Sequence, residues 1–309
     1  MANLRKNIYL GVDGGGTKTE AVLIDEEEKV IAQGQAGGSN PGVIGYERSV
    51  DNVYLSVKDV VKDFEITNAC FAIAGVNTKG DEQKFKKVIQ AHSKLSKITK
   101  KFFVVNDTRA ALRTGTARKN AIVLISGTGS SCWGTNDKGY QTKSGGWGHI
   151  LADQGSAYAI GLSVLKEVTR ELDGRAQKSL LSKVLLGQLK ISSFEELDNL
   201  IHKKPWNKTD IANVAPVIDV AFGKGDKKAK EIIENAARDL CDMVFAVCKK
   251  LDFLNRKFTL VITGSVFNIA EMTRVVKEKV LEFNPKVEIV KPKISSAYGA
   301  ALLAKELES

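Results

Sequence analysis

The run Ile8-Tyr9-Leu10-Gly11-Val12-Asp13-Gly14-Gly15-Gly16-Thr17-Lys18-Thr19-Glu20 starts as an apolar strand and turns through glycine and threonine. It leaves as a second apolar run, Ala21-Val22-Leu23-Ile24. The same plan returns in Ala121-Ile122-Val123-Leu124-Ile125-Ser126-Gly127-Thr128-Gly129-Ser130-Ser131-Cys132, which continues through Trp133 and Gly134. Each run is followed by a turn, Asp25 to Lys29 and Asn136 to Gly139, so each reads as a β-hairpin with a glycine-and-hydroxyl tip. One supersecondary device used twice predicts two lobes, residues 1–117 and 118–309, with the final helix a candidate to pack back on the first lobe.

The first hairpin is followed by helical spacing from Arg48 to Lys62 and a buried strand, Ala69 to Ala74. A helix from Asp81 to Leu95, a strand from Phe102 to Val105 and a helix starting near Ala110 come next. This βββαβαβα order implies a mixed sheet with helical crossovers. The second lobe repeats it with insertions. Helices are expected over Ser156 to Leu172, most of Ser179 to Ala221, Ala229 to Leu251, Ile269 to Phe283 and Ser296 to Leu307. Strands are expected over Phe258 to Thr263 and Val287 to Val290.

At 309 residues, with 43% apolar and 27% charged residues and five prolines, the chain has ample material for two cores, which excludes disorder, collagen and coiled coil. No apolar run approaches the ~20 residues of a membrane span, and no signal-peptide core precedes the first strand. Four cysteines without a CxxC spacing point to reduced thiols and a cytoplasmic protein. Three scattered histidines argue against a histidine metal site. The net charge of +10 raises nucleic acid as a partner. The lysines are dispersed, however, and no aromatics interleave with them, so neither nucleic acid nor a membrane is expected.

The tips carry the chemistry. A Walker loop needs lysine where Thr17 stands, and both that loop and the dinucleotide fingerprint need a helix where Ala21 to Ile24 reads as a strand. A hairpin tip still exposes backbone N–H groups and hydroxyls to phosphate. A tight turn explains either tip alone; two tips, each with threonine, favour a phosphate clamp. Asp13, just before the first tip, reads either as a turn-forming residue or as a water-mediated Mg²⁺ ligand. Asp107 reads either as a helix cap or as a general base at a strand's carboxyl end. Asp153 reads as a helix cap or an acceptor for sugar hydroxyls, and Asn40 as a turn residue or a ligand donor.

Together the motifs Gly-Val-Asp-Gly-Gly-Gly-Thr-Lys-Thr, Ser-Asn-Pro-Gly-Val-Ile-Gly, Asn-Asp, Leu-Ile-Ser-Gly-Thr-Gly-Ser, Gly-Gly-Trp-Gly-His and Asp-Gln-Gly-Ser-Ala-Tyr resemble the N-acetylglucosamine kinase family. That family lies among the BadF/BadG/BcrA/BcrD-type ATPases of the actin-like, sugar-kinase and Hsp70 superfamily. The resemblance implies an α/β, two-lobe actin-like (ribonuclease H-like) fold, each lobe a mixed five-stranded sheet flanked by helices. It implies ATP and Mg²⁺ as cofactors, a small amino sugar as substrate, and a homodimer. By the same resemblance Gly15, Gly16, Thr17, Lys18 and Thr128 surround the ATP phosphates, and Gly264 and Asn268 lie near the adenosine. Asn40, Ser130, Ser131, Gly146, Trp147, Gly148 and Asp153 contact the sugar, and Asp107 is the base.

Two positions depart from the family pattern: Gln154 stands where glutamate is common, and Gly264-Ser265 where paired glycines are. The expected activity is phosphorylation of N-acetylglucosamine at its 6-hydroxyl. Glucosamine and N-acetylmuramic acid are alternative substrates. Activation of a 2-hydroxyacyl-CoA dehydratase, as by other members of this ATPase group, is a further alternative.

Overall fold

The computed structural model describes residues 7–203 and 205–307. The chain divides into two compact units, one running to Ala117 and resuming at Pro292, the other Arg118–Lys291.

The first unit holds β1 (Tyr9–Gly14), β2 (Lys18–Ile24), β3 (Val30–Gly37), α1 (Pro41–Ile44), α2 (Tyr46–Val57), β4 (Asn68–Ile73), α3 (Lys79–Ala91), β5 (Phe102–Asn106) and α4 (Asp107–Arg113). Its sheet order is β3-β2-β1-β4-β5. The β1–β2 and β2–β3 pairs are antiparallel and the β1–β4 and β4–β5 pairs parallel, so the sheet is mixed as expected. Both faces of its central strands are buried, as continuous apolar runs require. Leu10, Val12, Leu23 and Phe71 pack beneath α2 and α3, while Tyr9, Val22, Ile24 and Cys70 face the last helix.

Helix α2 ends at Val57, short of the Lys62 expected from its spacing. The spacing persists because Val60 stays buried in the turn that follows, packed on β3 at Gly34.

The second unit holds β6 (Ala121–Ser126), β7 (Ser130–Thr135), β8 (Gln141–Gly145), α5 (Ala157–Leu172), α6 (Leu180–Leu189), α7 (Phe194–Lys203), α8 (Lys208–Ala212), α9 (Val217–Gly223), α10 (Lys227–Leu251), β9 (Thr259–Thr263), α11 (Ala270–Phe283) and β10 (Glu288–Val290). Its sheet order is β10-β9-β6-β7-β8. The topology mirrors the first: an antiparallel β6–β7–β8 meander beside parallel β9 and β10. Helix α10 drives Ile233, Ala237, Leu240, Val244 and Val247 into the core at helical spacing.

The last helix, α12 (Ser296–Glu306), belongs to the first unit. Six of its eleven residues are Ala, Gly or Ser, and Ala297, Ala300, Ala301 and Ala304 are fully buried. The reason is the closeness of its approach to β1. A Cβ at Gly11 would lie 2.1 Å from both the Ala297 carbonyl oxygen and the Ala301 nitrogen. Glycine there is a packing requirement, set by backbone meeting backbone. Among the described residues no helix is long and apolar enough to cross a membrane.

Candidate active site

In the first unit, the carboxyl ends of β1, β4 and β5 carry the polar groups singled out in the sequence. Asp13 lies inside the ladder, opposite Glu20 on β2 and Ala72 on β4, so it forms no turn of its own. The tip beyond it is closed by the Gly15 N–H donating to the Lys18 carbonyl at 2.9 Å. The Ser39 N–H donates to the Gly15 carbonyl at 2.9 Å, and the Thr19 hydroxyl lies 2.9 Å from that of Ser39. These bonds fasten residues 38–40 to the hairpin.

Gly16 and Thr17 are exposed, and a Cβ at Gly16 would meet nothing within 4 Å. Nothing in the fold demands glycine at 16, and its bare backbone is open to a ligand. Lys18 is turned aside to Glu20, 2.6 Å away. The Asn40 Oδ1 caps α1 by accepting from the Gly42 N–H at 2.9 Å, and its amide packs on Gly75 after β4.

Asp107 opens α4, but the helix is capped by its neighbour. The Asn106 Oδ1 accepts from the Thr108 N–H at 3.1 Å and from the Thr108 hydroxyl at 2.6 Å, while its Nδ2 donates to the Val76 carbonyl at 2.9 Å. Of the two readings of Asp107, the cap falls to Asn106. Burial pushes the Asp107 carboxyl up to about 6, opposed by the backbone N–H groups of Thr108 and of Asp107 itself. Asp13 rises further, to about 8, first through burial and then through the charges of Asp107 and Glu20, with Lys18 pulling the other way. Burial raises both half-buried carboxyls, the charge of Asp107 raises Asp13 further, and the one at a helix N-terminus ionises first.

In the second unit, β6 and β9 end side by side, Ile125 opposite Thr263. The β6–β7 tip is closed by the Gly127 N–H donating to the Gly129 carbonyl at 2.9 Å. The start of α5 is sewn to it: the Ala157 N–H donates to the Gly127 carbonyl at 2.8 Å, and the Ser126 hydroxyl to the Gly155 carbonyl at 2.8 Å. Gly264, at φ 109°, follows β9 and presses on Ser126, where a Cβ would lie 2.2 Å from the carbonyl oxygen. Ser265 consequently lies beside Gly127, and Asn268 is exposed at the end of the same turn. Thr128 stands half-buried between the two tip glycines.

Asp153 is no helix cap; Ser156 caps α5. Its Oδ1 accepts from the Ser130 N–H at 3.1 Å, and its Oδ2 from the Lys208 Nζ at 2.6 Å. The Ser130 hydroxyl is itself buried, donating to the Gln154 carbonyl at 2.7 Å. The Gln154 side chain is exposed, so the departure from glutamate leaves this anchor untouched.

Ser131 lies against Gly146, and Gly146 and Gly148, at φ 74° and 80°, turn the chain so that Trp147 stands 62% exposed. The Lys143 Nζ sits 4.4 Å from the Trp147 ring centre. The unit thus gathers Thr128, Ser130, Ser131, Gly146, Asp153 and Gly264 around one hairpin and sets Trp147 on an exposed loop beside it. Lys208 is the member sequence reasoning missed. It stands 55 residues from its partner, in a stretch legible only as helical, and no local pattern marks it.

All four cysteines are buried and unpaired, and burial pushes the Cys241 and Cys248 thiols up to about 12. Among the described residues no group of three His, Cys, Asp or Glu gathers for a metal ion.

The profile of the BadF/BadG/BcrA/BcrD ATPase family matches residues 10–304. An N-acetylmuramic acid/N-acetylglucosamine kinase of Clostridium acetobutylicum is 35% identical over 306 residues, which cover 96% of this chain and 97% of that protein. An N-acetyl-D-glucosamine kinase of Dictyostelium discoideum is 30% identical, over 97% of this chain and 98% of its own length. In three dimensions the chain superposes with a TM-score of 0.74 on a Chromobacterium violaceum protein provisionally assigned as an N-acetylglucosamine kinase. That structure is 19% identical, and the match covers 96% of this chain and 99% of the other.

Proposed function

The chain belongs to the BadF/BadG/BcrA/BcrD ATPase family, and from that premise we propose that it is an ATP-dependent kinase of amino sugars acting on the 6-hydroxyl of N-acetylglucosamine. The observation that carries the reading is Asp107: a half-buried carboxyl at a strand's end, relieved of capping by Asn106, whose charge is felt at Asp13, just before a glycine tip open to phosphate.

In this mechanism Asp107 accepts the proton of the sugar hydroxyl as its oxygen bonds to the γ-phosphorus, and the bond to the β,γ-bridging oxygen breaks to release ADP. Gly15, Gly16 and Thr17 bind phosphate, as does Lys18 once its ammonium leaves Glu20, and Thr128 is a phosphate ligand in the second unit. Gly264 and Asn268 bind the adenosine. Asn40, Ser131, Gly146, Trp147, Gly148 and Asp153 bind the sugar. Ser130, its hydroxyl committed to Gln154, serves the sugar site by holding Asp153 and Gly146 in place. Asp13 fits Mg²⁺: burial first, and then the charges of Asp107 and Glu20, hold its carboxyl well above the usual carboxylate range, and a cation held through water would relieve that. When bound, Mg²⁺ neutralises charge on the phosphates.

A coupled ADP-release assay over N-acetylglucosamine, N-acetylmuramic acid, glucosamine and glucose tests the reading. ATP-dependent release is expected with the amino sugars, and no release with any of them sinks it. The pH profile is fixed by Asp107. A base with a raised carboxyl is active only when ionised, so kcat should fall as pH drops through about 6. A profile flat to pH 5 would remove Asp107 from proton transfer. Thr128→Ala should raise the KM for ATP and leave sugar binding without nucleotide unchanged, as titration calorimetry would show; the reverse pattern refutes the assignment.

A further inference from the structure

Asp153 is held under unusual constraint. Its backbone is left-handed, at φ 69°, which costs a non-glycine residue free energy. Both carboxylate oxygens are engaged, one by the Ser130 N–H and the other by Lys208. The lysine is placed as firmly as the acid. It opens α8, whose first turn is locked by a reciprocal capping box between Asn207 and Asp210. The helix is drawn against α5 at Gly161, where a Cβ would lie 2.0 Å from the Ile211 carbonyl oxygen.

The ion pair in turn dictates the tip. A Cβ at Gly129 would lie 2.9 Å from the Asp153 Oδ1 and 3.0 Å from the Lys208 Nζ. The two partners differ in exposure: the Asp153 side chain is 4% exposed and that of Lys208 is 31% exposed. The anion is buried, and solvent meets its cation.

We propose that Lys208 is a specificity-determining residue for the substituent at the sugar's 2-position. It pairs with the buried charge of Asp153 and turns the positive end of that ion pair toward solvent, so the site takes neutral N-acyl amino sugars and repels a free 2-ammonium. This rests on the kinase reading above and on the sugar lying against Asp153. An unpaired carboxylate there would attract the protonated amine of glucosamine; a carboxylate already paired at 2.6 Å does not, and the more exposed ammonium end of the pair works against that amine. Lys208 thus supplies the repulsive element that discriminates, by charge, between two sugars that differ only in the 2-substituent.

The test is the ratio of kcat/KM for N-acetylglucosamine to that for glucosamine, measured at about pH 6.5, where an aliphatic amine is protonated. Lys208→Met exposes the Asp153 charge and should lower the ratio about tenfold or more. Asp153→Asn leaves the ammonium uncompensated and should raise it. A purely structural role would depress both substrates together in both variants and leave the ratio still.

Lys208→Met strands a buried charge and is the variant most exposed to misfolding. The double variant Asp153→Asn/Lys208→Met carries neither charge, and its ratio should fall below that of Asp153→Asn alone. Ratios that stay put, or that shift the same way in both single variants, overturn the proposal. If Lys208→Met does not fold, a double-variant ratio equal to or above that of Asp153→Asn overturns it alone. A wild-type protein that turns over no amino sugar overturns the kinase reading itself, whereas normal turnover with unmoved ratios overturns only the role of Lys208.

Discussion

Asp107→Asn should lower kcat with N-acetylglucosamine by about 10²–10⁴-fold, the contribution of a positioned general base, or about 3–5 kcal/mol of transition-state stabilisation. The change is close to isosteric and the cap on α4 is Asn106, so the helix start survives it. The KM for the sugar should move far less than kcat, because a hydroxyl still finds a hydrogen-bond partner in the asparagine. Removing Asp107 also removes the charge that helps raise Asp13, so the Asp13 carboxyl should titrate lower in the variant. Two measurements decide the matter: steady-state kinetics against ATP and sugar, and thermal unfolding to show that the variant is folded. Turnover near that of the wild type in a folded variant would take Asp107 out of the chemistry.

What the sequence disclosed and what it hid divide along a physical line. The hairpins were legible because their central strands are continuous apolar runs ending in glycine, and β1 and β6 lie where those runs predict. The expected mixed five-stranded sheets are present. Strand β8 was missed because Gln141-Thr142-Lys143-Ser144-Gly145 lies at a sheet edge and carries no apolar alternation.

Within the site, local signals were ambiguous by nature. Asn106 and Asp107 are both good caps, and only the three-dimensional position of the Thr108 amide separates their roles. Asp153 gave a cap-like context before α5, yet Ser156 caps that helix while the aspartate turns back to β7. Lys208 shows the limit most clearly. Its meaning lies in a partner reached through the packing of α5 on α8, a tertiary fact that sequence spacing does not encode.

Gly11→Ala should be the most destabilising single-methyl substitution in the first unit, with a loss of about 3 kcal/mol or more, at or beyond the usual range for overpacking. A Cβ placed 2.1 Å from the Ala297 oxygen and the Ala301 nitrogen meets backbone on both sides, and no rotamer change relieves it. The helix must move off the sheet, and Gly299, whose own missing Cβ lets α12 approach the Ala110 carbonyl of α4, moves with it. That displacement also reaches the chemistry, since β1 carries Asp13 and α4 begins at Asp107. The expected result is a drop in unfolding midpoint of several degrees, at roughly 2–4 °C per kcal/mol for chains of 150–250 residues, with kcat lost at temperatures where the chain is still folded. Gly16→Ala is the control: the same methyl in open space should leave the midpoint within about 1 °C, as an exposed substitution without a new clash does. Equal unfolding midpoints for Gly11→Ala and wild type would show that α12 is not seated on β1 as described.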